Sequence, residues 1–91
     1  MPRIYIPTVM RKYVDGRSFF DVTGQTVAEV LSSVYRTYPA LAAEVLDKDG
    51  KIKPFIAVFV NSTSLRDMEK HAQVREDDEV HFIPAIAGGA E

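Results

Sequence analysis

Phe55-Ile56-Ala57-Val58-Phe59-Val60-Asn61 is the stretch that decides the fold. Its first six residues are all apolar, with β-branched and aromatic side chains dominant, and they predict a strand. A strand apolar on both faces is either covered on both or keeps one face for a partner. Asp47-Lys48-Asp49-Gly50-Lys51 before it and Ser62-Thr63-Ser64 after it read as polar turns. Towards the C-terminus, Leu65-Arg66 predicts the opening of a short strand. Met68 to Val74 is polar with weak helical character, and Glu76-Asp77-Asp78 is a turn. Glu79-Val80-His81-Phe82-Ile83-Pro84-Ala85 predicts a last strand, followed by a tail.

Upstream, Thr26-Val27-Ala28-Glu29 has the form of a capping box. The Thr26 hydroxyl is placed to accept from a first-turn amide, and Glu29 to reach back to the cap amide. Val27, Val30, Leu31, Val34 and Tyr38 follow at helical spacing and give one apolar stripe. Pro39 stops this helix, because the residue before a proline avoids the helical region. Ala40 to Leu46 fits a loose turn or a short second helix. Near the start, Ile4 and Ile6 alternate with Arg3 and Tyr5 in a strand running from Arg3 to Val9. Pro7 belongs at that strand's end or with its nitrogen facing away from a neighbour. Met10 to Gly16 reads as a charged connection closing on a turn, Asp15-Gly16. Ser18 to Val22 is a second strand, with Phe20 and Val22 on one face. The pair makes a hairpin. Strand, strand, helix, strand, short element, strand predicts an α+β roll: a mixed sheet of four to five strands curled over one main helix.

Composition narrows the function. Ninety-one residues make one small domain with little room for a deep catalytic cleft. The chain has no cysteine, which excludes a disulfide scaffold, a thiolate zinc site, an iron–sulfur centre and a catalytic thiol. The two histidines, His71 and His81, lack a metal-ligand spacing, so no metal is expected. A formal charge of −2 argues against nucleic acid and an anionic membrane surface as partners. No apolar run reaches the ~18 residues of a membrane span. The N-terminus lacks a signal-peptide pattern, so the cytoplasm is the expected compartment.

Two features remain. In the central strand Phe55 and Phe59 alternate with Ile56, Val58 and Val60. If the valine face packs on the helix, the phenylalanine face points outward, near His81 and Ile83, and such a patch marks a partner site. The scattered cations Arg36, Arg66, Lys70 and Arg75 read as solvation, and Asp47, Asp49, Asp77 and Asp78 as turn acids. The tail carries Gly88-Gly89 after the lead Ala85-Ile86-Ala87. Without Cβ atoms, a Gly-Gly tail threads a narrow channel and lets catalytic groups reach its carbonyl. Alone, it reads as an ordinary flexible end, and it gains weight only from what precedes it.

The closing segment Asp78-Glu79-Val80-His81-Phe82-Ile83-Pro84-Ala85-Ile86-Ala87-Gly88-Gly89 resembles the ThiS/MoaD family of ubiquitin-like sulfur carriers. Val58-Phe59-Val60-Asn61 is similar to the family's V-x-V-N strand, and Ile6-Pro7-Thr8-Val9 and Gly24-Gln25-Thr26-Val27 fit the same pattern. The opening and the Pro84-Ala85-Ile86-Ala87-Gly88-Gly89 ending look most like the CysO-type branch. The resemblance implies a β-grasp domain over residues 1–87 and a flexible tail over 88–91. It implies a protein cosubstrate, not an enzyme. A ubiquitin-activating-type enzyme uses ATP and Mg to adenylate the Gly89 carboxylate. A sulfur donor then displaces AMP and leaves a thiocarboxylate. No cofactor is held by the carrier itself. The recipient is a biosynthetic enzyme, such as a PLP-dependent cysteine synthase. Cysteine or a related sulfur amino acid is favoured over thiamin or molybdopterin. Gly88 serves threading, and Phe59, His81, Ile83 and Ile86 are the expected partner-binding residues. Ala90 and Glu91 follow Gly89, so the chain is expected to be a precursor cut between Gly89 and Ala90 by a JAMM-type metallopeptidase. A monomer is expected for the carrier alone. The competing readings are a modifier conjugated through Gly89 to target lysines, and an adaptor with an inert tail.

Overall fold

Apolar alternation sorts this chain into an inward and an outward face. The computed structural model describes residues 1–69 and 71–84. Its five strands are β1 (Arg3–Tyr5), β2 (Phe19–Asp21), β3 (Ile56–Val60), β4 (Thr63–Ser64) and β5 (Glu79–Pro84). They form one mixed sheet in the order β2-β1-β5-β3-β4. β1 runs parallel to β5, and the other neighbours are antiparallel. A parallel pair needs a long crossover. Within it, α1 (Val27–Thr37) and α2 (Pro39–Val45) lie between β2 and β3. Ile4, Phe20, Ile56, Val58, Val60, Val80 and Phe82 are buried on the inner face, in one core with Val27, Val30 and Val34 of α1. The expected mixed sheet on one main helix is what the chain forms.

The capping box of α1 is built almost as expected. Thr26 Oγ1 accepts from the Glu29 amide at 3.2 Å. The Glu29 carboxylate reaches one residue further back than expected and accepts from the Gln25 amide at 2.9 Å. Gly24 fits tightly under this turn, with φ +155° and Val30 N only 2.8 Å from where a Cβ would stand. At the other end Pro39 both stops α1 and opens α2, whose first turn has no use for a proline N–H. Of the two forms open to Ala40–Leu46, the chain takes the helix.

Several expectations fail locally, among them the turn at Ser62-Thr63-Ser64, whose last two residues form β4. The first strand stops at Tyr5, not Val9, and Thr8–Tyr13 is a 3₁₀ helix. Pro7 has no N–H for the ladder, and its φ of −67° suits a helix start. Met10 from this turn is buried, so the segment between β1 and β2 is part of the core and not a polar connection. Leu65-Arg66 opens no strand: Ser64 Oγ accepts from the Arg66 amide at 3.4 Å and caps a short 3₁₀ helix, Leu65–Asp67. Met68 to Val74 forms no helix among its described residues. It pairs with the entry to α1 through Val27 N to Ala72 O and Val74 N to Gln25 O, both 3.0 Å. These bonds to a distant segment replace the local ones that a helix would need.

Asn61 joins β3 to β5 at their turn end. Its φ of 55° lies in the left-handed region that asparagine tolerates better than most residues. Its amide donates to Glu79 O at 2.7 Å, its Oδ1 accepts from Glu79 N at 3.0 Å, and its Nδ2 donates to Asp78 Oδ1 at 3.0 Å. The Arg75 amide and the Asn61 side chain together hold the Asp78 carboxyl below its ordinary range. Asn61→Ala is therefore expected to destabilise the fold by about 1–2 kcal/mol in urea titrations at neutral pH. Asn61→Gly, which keeps the backbone free, should cost less. Because the folded pKa of Asp78 is depressed, its contribution is present above the unfolded value of about 3.9 and is lost as pH falls through the folded one. The penalty of Asn61→Ala should shrink over that acid range.

Tyr35 is a contrasting case. Its hydroxyl is buried without a hydrogen-bond partner among the described residues, and burial pushes its pKa up to about 12. Tyr35→Phe should leave the thermal midpoint unchanged or raise it, with a gain of up to about 1 kcal/mol. A loss would show that the hydroxyl has a partner.

Candidate functional site

The residues between the buried ones on each strand face away from the helices. The register aligns Phe19 of β2 with Tyr5 of β1, Tyr5 with His81 of β5, and His81 with Phe59 of β3. An aromatic row thus crosses four strands. Cross-strand neighbours on one face are close enough for such rings to pack. Tyr5 and His81 stack nearly parallel, at 6° with centroids 4.7 Å apart. Tyr5 and Phe19 are tilted, with centroids 6.1 Å apart.

On one side of this row lie Asp21, Arg3 and Glu79, again in register. Arg3 donates through Nε to Asp21 Oδ1 at 2.9 Å and through Nη2 to Oδ2 at 3.4 Å. Its guanidinium carbon sits 4.2 Å from the Phe19 ring centre, a cation–π contact. The Arg3 hydrogen bond holds the Asp21 carboxyl below its ordinary range. His81 Nε2 is 3.1 Å from Glu79 Oε1. On the other side of the row, Ile83 pairs with Ala57 and is 47% exposed. For an isoleucine in mid-strand that is high, and the face is left open there.

Phe59, His81 and Ile83 are therefore neighbours on one open face. Phe55 lies just before β3 and is exposed, with Lys53 Nζ 6.0 Å from its ring centre. Ile86, Gly88, Gly89 and Ala90 lie outside the described residues. Sequence reasoning missed Tyr5 and Phe19 as members of this face. The alternation of Tyr5 with Ile4 and Ile6 was the available signal, but only the β1–β5 pairing shows that Tyr5 meets His81. Of the scattered cations, Arg36 is on α1 and Arg66 in the second 3₁₀ helix, while Lys70 lies outside the described residues. Asp47 is a turn acid as expected: its Oδ1 accepts from the Asp49 and Lys51 amides at 2.8 and 3.0 Å. Among the described residues no group of three metal-ligating side chains gathers, and no helix is long and apolar enough to cross a membrane.

The ThiS family model matches residues 4–89, which is nearly the whole chain and ends on Gly88-Gly89. The chain belongs to the ThiS family. It is 28% identical over 89 residues to the sulfur carrier protein CysO of Mycobacterium tuberculosis, covering 94% of this chain and 96% of that one. Among solved structures, a chain of the Amycolatopsis orientalis BexX/CysO complex superposes with a TM-score of 0.83 and 29% identity. The match covers 98% of this chain and 100% of that one. Small archaeal modifier protein 1 of Methanosarcina acetivorans has a TM-score of 0.79 at 22% identity, covering 97% of this chain and 95% of that one. That likeness is one of fold alone. The roll is the β-grasp, ubiquitin-like fold, and within the ThiS family this chain is similar to the CysO type.

The Tyr5–His81 stack lends itself to measurement. A double-mutant cycle with Tyr5→Ala and His81→Ala should give a favourable coupling of about 0.5 kcal/mol in equilibrium urea unfolding. Additive losses would mean that the rings do not stack in solution.

Proposed function

We propose that this ThiS-family protein is a sulfur carrier of the CysO type that works through a thiocarboxylate at Gly89. The observation that carries the reading is the family match, which runs along the whole domain and ends on Gly88-Gly89. The Gly89 carboxyl is tied to Ala90 in a peptide bond. Hydrolysis of that bond by a JAMM-type peptidase must come first. The freed carboxylate then attacks the α-phosphate of ATP on an adenylating enzyme, and pyrophosphate leaves. A free carboxylate is a poor electrophile, whereas the acyl-adenylate carries AMP as a good leaving group. Sulfide-level sulfur, supplied as hydrosulfide, attacks the acyl carbon and expels AMP. The resulting thiocarboxylate is a soft nucleophile, so the carrier needs no cysteine.

The carrier is a cosubstrate here, and its domain serves to present the tail. The open face around Phe59, His81 and Ile83, with Ile86 beyond it, is the proposed docking surface for the adenylating enzyme. Gly88 lets the tail enter a narrow channel. The sulfur goes to a biosynthetic enzyme of cysteine or a related sulfur amino acid, in the cytoplasm. The similarity to the sulfur carrier protein CysO supports that choice.

Mass spectrometry of the protein from its native cell tests the proposal. The expected species ends at Gly89, with one carboxyl oxygen replaced by sulfur. Finding only the uncut form in cells with an active sulfur relay would sink it. Ladders of higher mass in a denaturing gel, lost on replacing Gly89, would favour conjugation to lysines instead. Ile83→Asp should cut thiocarboxylate formation at least about tenfold while the thermal midpoint holds, because a half-exposed side chain contributes little to the core.

A further inference from the structure

The open face has two hollows, one on each side of the Tyr5–His81 stack, and their charges are opposite. The first, about 240 Å³, is lined by Arg3, Tyr5, Asp21, Glu76, Asp77 and Glu79, with Asp78 beside them. Five carboxylates there face one guanidinium and the amino terminus, which lies 3.8 Å from Glu76. Arg3 is committed to Asp21, and Asp78 is held by Arg75 N and Asn61. Asp77 has no ion pair or hydrogen bond among the described residues, and Glu76 is almost fully exposed. The second hollow, about 400 Å³, is lined by Tyr5, Pro7, Arg11, Phe19, His81 and Ile83. Its one formal charge is Arg11, whose Nε donates to Ile6 O at 3.1 Å and is thereby fixed at the rim. The acidic hollow lies at the start of β5, and the apolar one lies beside Ile83, near the end of β5 that leads to the tail.

We infer that the open face recognises a protein surface of matching polarity: a basic group for the acidic hollow, and an apolar side chain with an acidic neighbour for the Ile83–Arg11 hollow. This rests on the docking role proposed above and adds orientation to it. An apolar face alone holds a partner but does not fix its rotation. Two opposite charges on either side of a rigid stack do, because the reversed arrangement sets like charges against each other. The rotation so chosen directs the tail into the partner's active site.

ATP–pyrophosphate exchange tests this, using the chain ending at Gly89 and the adenylating enzyme purified from the native cell. Glu76→Lys combined with Asp77→Lys should raise the KM for the carrier about tenfold with kcat held. Raising salt from about 50 to about 300 mM should weaken wild-type binding and affect this variant much less. Arg11→Gln should raise KM about threefold, with thermal midpoints compared to exclude a folding loss. Asp49→Lys, in the turn before β3, should change nothing. If the double reversal leaves KM within about twofold while Ile83→Asp abolishes exchange, the face docks without reading charge, and this inference is wrong. If even the wild-type chain supports no exchange, the carrier function itself fails, and the inference falls with it.

Discussion

The parallel pairing of β1 with β5 is the constraint on which the rest depends. It brings an early and a late segment of the chain side by side at the centre of the sheet. Parallel neighbours cannot be joined by a tight turn, so the intervening chain must leave the sheet and return. That detour supplies both helices and, with them, the inner half of the core. Asn61 secures the other side of β5, tying β3 to it through main chain and side chain together. The last strand is thus held by β1 from Glu79 to His81 and by β3 out to Pro84.

The same pairing writes the open face. Tyr5 comes from the third strand residue of β1 and His81 from the third of β5, and only their register stacks the two rings. β2 extends the row with Phe19 and β3 with Phe59. A small domain keeps few contiguous apolar patches on its surface unless something covers them. Here the patch borders β5, from which the tail proceeds. That proximity is what a carrier needs in our reading: contact energy from the face, chemistry at the tail. In that reading the two are separate: the face docks, and Gly89 carries the chemistry.

Much of this was legible in local pattern. Alternation along Arg3 to Ile6 and Phe55 to Val60 told inner from outer residues, and the buried set follows it closely. The Thr26–Glu29 box located the start of α1 because capping is a contact between residues three apart. The misread segments share a cause. Met10 is buried amid Arg11, Lys12 and Tyr13, so one apolar side chain in a charged run carried no period to detect. Met68 to Val74 is placed by backbone bonds of Ala72 and Val74 to Val27 and Gln25, which no local window contains.

The sequence by itself determined the α+β roll, its main helix, its inward faces and the presence of Gly88-Gly89. These rest on short-range rules: side-chain period, capping, proline and glycine geometry. Only the tertiary structure decided which outward residues meet. Tyr5 and His81 are 76 positions apart in the chain, and strand register alone makes them neighbours. It also set the acids of the β5 approach on one side of that stack and Arg11 on the other. Polarity of a face is a property of register, and register is settled by long-range hydrogen bonds that no single segment encodes.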